Sequence, residues 1–209
     1  MSAHIAVIVF TVNADMHPER NKELPSYAAI PPEENARRFF AGPGPYSVGR
    51  AGMAWRRLAD DLYTAACDIN RALTTLTGAW QSKAATEMTQ AAAPYLAWLN
   101  DTAKRASSTA ALASCTVDAW QWAARSMVPT ETVAANVAWR KQLYQTNHLG
   151  QNFHEIACCE AEYQNYWDTN ARTMESYRGV VEFDMRWVQP FVEAPKITVD
   201  EVSRQWAQG

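Results

Sequence analysis

Helix breakers are missing over long stretches of this chain. After the segment 41–49 (AGPGPYSVG) no proline occurs before Pro94. No glycine lies between Gly78 and Gly150, and no proline between Pro129 and Pro190. Uninterrupted stretches of that length read as long helices rather than as strands joined by turns. Long apolar runs are also lacking, which excludes a membrane-spanning helix. Lys and Arg form no cluster, and the formal net charge is −3, which argues against a nucleic-acid binder. There are only 4 cysteines in 209 residues, too few for a disulfide framework, so Cys67, Cys115, Cys158 and Cys159 are expected to be free thiols. Residues 4–12 (HIAVIVFTV) are apolar, but no Lys or Arg precedes them and no small-residue cleavage site follows. A secretory signal peptide needs both.

Tryptophan, by contrast, is abundant, with 9 in the chain. It is costly to expose and frequent at interfaces, so its abundance points to surface buried against another protein. The length suits one domain of ordinary size.

Periodicity places the helices. A first helix is predicted from about Tyr46 to Thr77, and along it and into the turn beyond, the residues Trp55, Leu58, Leu62, Ala65, Ile69, Leu73, Leu76 and Trp80 recur in steps of three and four. That is the seam of helices packed lengthwise. A second helix is predicted from Ser82 to Met127. Its seam is rich in alanine (Ala85, Ala92, Ala103, Ala106, Ala110, Ala113), which permits close approach, and Pro94 should bend it slightly. The connection 77–82 is short and makes the two antiparallel. A third helix should begin near Pro129 with Thr130 as its N-cap. A fourth should run from about Asn152 to Trp187, and Pro190 and Pro195 end the regular structure. Residues 1–29 carry no helical period and are expected to be a disordered extension. Residues 30–188 form the helical domain, and 189–209 a flexible tail.

Two patterns with chemical overtones do not develop. In the run 154–159 (HEIACC), Cys158 stands where a zinc protease helix needs a second His, and no third ligand is evident. In Gly42-Pro43-Gly44-Pro45 the prolines remove the N–H donors a phosphate loop requires. No G-x-S-x-G elbow is present. The chain is therefore read as a non-enzyme with no catalytic residue, metal or cofactor. The aromatic group Trp120, Trp122, Trp139, Tyr144, Tyr163, Tyr166 and Trp167 reads as packing between helices, with Trp120 and Trp122 on different faces.

Five motifs recur in order on this helix pattern: Pro31-Pro32-Glu33-Glu34-Asn35 followed by Phe40-Ala41-Gly42-Pro43-Gly44-Pro45; Ala79-Trp80-Gln81; Ala93-Pro94-Tyr95; and Asn147-His148-Leu149-Gly150-Gln151-Asn152. Over about residues 27–188 the chain resembles the PPE family of mycobacterial proteins, and in particular its short members without a large C-terminal domain. The resemblance implies an all-α, elongated hairpin with further helices, completing a four-helix bundle with a PE-family protein. It also implies a cytosolic EspG-type chaperone on the tip loop and export through a type VII (ESX) secretion system. The protein would be cytoplasmic before export, then secreted or associated with the cell envelope.

On that reading the PE-partner face comprises Leu62, Ala66, Ile69, Leu73, Leu76 and Trp80 on one helix. On the other it comprises Ala85, Met88, Ala92, Tyr95, Leu96 and Leu99. The secretion-signal turn holds Trp80 and Ser82, where the family has Trp-x-Gly. No Tyr in this chain is followed four residues later by Asp or Glu, so the partner has to supply that half of the signal. The chaperone-binding tip is Asn147, His148, Leu149, Gly150, Gln151, Asn152 and Phe153. The alternative is a self-associating helical adaptor that closes the same seam against a second copy.

Overall fold

The computed structural model describes residues 26–195. Among them a 3-10 turn, Tyr27–Ala29, precedes five α-helices: α1 Pro32–Phe40, α2 Tyr46–Ala79, α3 Lys83–Ser126, α4 Thr130–Gln145 and α5 Phe153–Arg186. No strand occurs among the described residues. The all-helical class expected from the missing breakers is thus the one observed, and Pro94 lies inside α3 as predicted.

α1 starts where its sequence requires. Pro32 occupies the first helical position, where its missing N–H costs nothing, and Glu33 and Glu34 follow in the first turn. Glu34 accepts from Arg37 Nε and Arg38 Nε at 2.7 and 2.6 Å. α1 gives way to the Gly-Pro turn, where Gly44 has φ 65°.

The start of α4 departs from expectation. Pro129, not Thr130, is the N-cap, and Thr130 is already helical. The Pro129 carbonyl accepts from Thr132 and Val133 N–H. A proline before the first helical residue is held extended, and this one, at ψ 150°, turns the chain into the helix without a side-chain cap.

The chain divides into two compact units. One comprises the described residues 26–49 with Ala113–Arg186. Its core joins Ala36 and Phe39 of α1, Ala123 and Met127 at the end of α3, and Met174 of α5, with Tyr27, Trp120 and Tyr177 packed around them. Phe39 stacks on Trp120 with centroids 5.3 Å apart and meets Tyr177 edge-on at 5.6 Å. A smaller cluster, Leu143, Ile156 and Cys159, joins α4 to α5.

Asn170 and Asn35, both buried, pin the backbone of this unit. Asn170 donates to the carbonyls of Pro32 and Val128 at 2.9 and 3.0 Å and accepts from Val128 N–H at 2.7 Å. Asn35 donates to the carbonyls of Tyr27 and Ile30. The 3-10 turn is tied down as well, since Trp167 Nε1 donates to Ala28 O at 2.8 Å. The last residues of the expected N-terminal extension are therefore ordered, and 1–25 lie outside the described residues.

The other unit comprises Arg50–Leu112 with 187–195. It is the α2/α3 hairpin and a non-helical segment. Its buried positions are mostly small: Gly52, Ala59 and Ala66 on α2, spaced by seven, and Ala85, Ala103, Ala106, Thr109 and Ala110 with the larger Leu99 on α3. Of the alanine seam read from α3, Ala85, Ala103, Ala106 and Ala110 are buried, and Ala92 and Ala113 are half-buried. On α2 the buried line runs one residue beside the large apolar stripe, because close approach at alanine favours small side chains on the facing helix. Residues 189–195 fall at the start of the stretch expected to be a flexible tail. They are instead bonded to the hairpin, with Pro190 O accepting from Arg105 Nη1 at 3.0 Å and Val192 O from Trp98 Nε1 at 2.8 Å. Residues 196–209 lie outside the described residues.

Candidate interaction surfaces

The tip between α4 and α5 is built from its polar residues. Asn152 N–H donates to Asn147 Oδ1 at 2.8 Å, and Asn152 Nδ2 donates to Leu143 O at 2.9 Å and Thr146 Oγ1 at 2.8 Å. Gln151 Nε2 donates to Thr146 O, while its Oε1 accepts from Leu149 N–H at 2.9 Å. Gly150 makes the reversal at φ 80°, a conformation other residues avoid. These bonds consume the side chains of Asn147, Gln151 and Asn152 internally. The large apolar side chains stand outward, Leu149 94 % exposed and Phe153 69 % exposed, with His148 exposed beside them. The predicted tip residues are thus brought together, and Leu149 and Phe153 do not tuck under the loop.

The hairpin turn is likewise open. Trp80 is 57 % exposed, and its N–H still closes the last turn of α2 on Leu76 O. Ser82 caps α3, its Oγ accepting from Ala85 N–H at 3.2 Å. Among the described residues no side-chain-bearing residue has positive φ, so serine here requires no left-handed backbone.

The twelve residues of the expected partner face divide by burial. Ala66, Ala85 and Leu99 are already buried within the chain. Leu62, Ile69, Leu73, Met88, Ala92, Tyr95 and Leu96 are half-buried, and Leu76 and Trp80 are exposed. Seven apolar side chains with one side still open are what a partner helix would cover.

The chemical alternatives gain little. Cys158 Sγ and His154 Nε2 are 3.8 Å apart, and both side chains are exposed. No group of three metal-ligating side chains is gathered among the described residues. All four cysteines are free, and only Cys159 is buried, which pushes its thiol above the ordinary range. Glu160 accepts from Tyr144 Oη at 2.7 Å and raises that phenol. The aromatic group is mixed: Trp120, Tyr163, Tyr166 and Trp167 pack between helices, while Trp122, Trp139 and Tyr144 are exposed. No described helix is long and apolar enough to cross a membrane.

Besides the Asn170 pin, sequence reasoning missed two arrangements. One is the Asn136 pin, which donates to Cys159 O at 3.2 Å and Glu162 Oε2 at 2.7 Å. A lone Asn mid-helix carries no sequence signal. The other is the contact of 190–192 with Trp55, Trp98 and Arg105. The apolar run at Pro190-Phe191-Val192 was its only trace.

Comparison with known proteins agrees with the motifs. A family model described as the PPE family matches residues 26–187. The chain is 37 % identical over 172 residues to the uncharacterized PPE family protein PPE29 of Mycobacterium tuberculosis, covering 82 % of this chain and 40 % of that protein. To the PPE family protein PPE18 of the same species it is 38 % identical over 173 residues, covering 82 % and 44 %. To the uncharacterized PPE family protein PPE42, also of that species, it is 35 % identical over 185 residues, covering 88 % and 32 %. The chain thus spans less than half the length of these curated relatives.

Proposed function

This chain belongs to the PPE family, and from that premise we propose that it works as a protein-binding subunit exported with a PE-family partner. A helical hairpin of the PE protein covers the open side of α2 and α3. An EspG-type chaperone holds the α4/α5 tip in the cytosol. The pair then leaves through a type VII secretion system and is released or held at the envelope.

One observation carries the reading. Leu149 and Phe153 stand outward on a loop whose Asn147, Gln151 and Asn152 side chains are spent on local bonds. A solvated turn would have those properties reversed. A large apolar residue displayed on a rigid polar frame is the form of an interface anchor. The half-buried residues of the hairpin support the PE half of the reading in the same way. A partner there would bury an obligate-size interface, on the order of 2,000 Å².

The experiment is size-exclusion chromatography with light scattering, on the chain alone and co-expressed with PE proteins. A 1:1 heterodimer, formed by a chain that is poorly soluble alone, is the expected result. A well-behaved homodimer that ignores every PE protein would replace this reading with the self-associating adaptor.

A further inference from the structure

The hairpin's open side is not uniformly open. Where α2 begins to pair with α3, the segment 187–195 lies across both arms. Phe191 stacks on Trp55 of α2, with centroids 5.2 Å apart and planes 8° from parallel. On α3, Arg105 holds Pro190 O and Trp98 holds Val192 O. The order of these contacts gives a direction. As the segment advances from 190 to 192, its partner on α3 retreats from 105 to 98, so it runs against α3, toward the hairpin turn.

The stripes it covers are those of the proposed partner face. On α2, Trp55 shares a heptad line with Leu62, Ile69 and Leu76. On α3, Trp98 stacks on Tyr95 at 5.4 Å and continues the line to Met88.

The cover is shallow and imperfect. It has no secondary structure, and Phe191 and Val192 remain 42 % and 58 % exposed. It satisfies the Trp98 indole but leaves Trp55 Nε1 buried with no hydrogen-bond partner among the described residues. An orphaned buried donor carries a penalty that is relieved when water or another acceptor reaches it. The segment therefore covers apolar surface under terms that favour exchange.

We propose that residues 187–195 are a displaceable strap, which covers the end of the hairpin face in the free chain and is lifted when the partner hairpin docks. This rests on the PE-pairing reading and adds a regulation to it: the chain occupies part of its own interface until a partner arrives. A strap closed about nine-tenths of the time weakens apparent partner affinity about tenfold, and loosening it restores that factor.

The test uses the full chain, Phe191→Ser and, as the conservative control, Phe191→Tyr, which keeps the ring. In the free protein, amides of 187–195 and access of the dye ANS to the hairpin should change in Phe191→Ser and not in Phe191→Tyr. With a PE protein that forms the 1:1 complex, amides of 187–195 should exchange faster in the complex than in the free chain, and Phe191→Ser should bind it up to about tenfold more tightly. Slower exchange of 187–195 in the complex, or tighter binding by wild type than by Phe191→Ser, would overturn the proposal by making the strap part of the interface. If no PE protein binds any of the three forms, the pairing reading fails and the displacement with it, whereas equal binding by all three sinks the strap alone.

Discussion

Gly150 bears a sharp local constraint. Its φ is 80°, and a Cβ built there would lie 2.8 Å from Phe153 Cε2. An L-residue in that conformation costs about 1–2 kcal/mol, and the added methyl also displaces the ring that the tip presents. Gly150→Ala should therefore speed hydrogen exchange of the tip amides and weaken any ligand that grips Phe153, while leaving the helical content of the circular dichroism spectrum unchanged. The cysteines give a second residue-scale expectation. Burial, then the nearby Glu162 carboxylate, raise the Cys159 thiol, and only the thiolate is reactive. Alkylation followed by peptide mass mapping should modify the exposed Cys67, Cys115 and Cys158 well before Cys159. Equal rates would mean that the α4/α5 packing opens readily.

Among the elements, α1 shows how much a short helix owes to its ends. Hydrogen bonds from Arg37 and then Arg38 hold the Glu34 carboxyl down at about 2. A carboxyl depressed in the folded state stabilises the fold above its unfolded value, ~4.3. That contribution fades as pH falls toward the folded value of about 2. In a carboxyl NMR titration Glu34 should still be ionised at about pH 3, where an unperturbed glutamate is protonated. Asn170 works on a larger scale, joining α5 to the start of α1 and to the α3/α4 connection. Asn170→Leu keeps the volume but strands Val128 N–H without its acceptor. The expected loss is on the order of 3 kcal/mol in urea denaturation, because buried groups left unpaired carry their full desolvation cost.

The difference between α1 and Asn170 also marks what could be read from sequence. α2 and α3 were legible because missing breakers and a three-four step are local signals, and the Gly150 turn because glycine announces it. Asn170 was not, since a single polar residue inside a helix looks the same whether it faces solvent or three distant backbone groups. The hairpin packing failed by one residue on α2 for a related reason. Hydrophobicity marks the wide apolar stripe, but close helix approach selects its smallest members, Gly52, Ala59 and Ala66. The large residues Leu62, Ile69 and Leu73 are left beside the seam, half-open. The strap left little trace because two of its anchors are backbone carbonyls, and every residue carries one.

For the whole molecule, the two proposed surfaces lie in different compact units, the tip in the one containing Ala113–Arg186 and the hairpin face in the one containing Arg50–Leu112. Each unit has its own buried residues, so a side chain changed on one surface should not be felt on the other. Leu73 is half-buried on the hairpin, and Leu73→Asp would set a charge where a partner helix must close without an ion to pair it. Leu149 and Phe153 are exposed, so replacing both with Ser removes apolar contact surface without opening the core. Co-purification from cells expressing a PE protein and an EspG-type chaperone separates the two. Leu73→Asp should lose the PE protein and retain the chaperone, and the Leu149→Ser, Phe153→Ser pair should do the reverse. If Leu73→Asp still brings down its PE partner, the pairing face lies elsewhere on the hairpin. If either change removes both proteins at once, the surfaces are coupled, and chaperone capture depends on a pair already assembled.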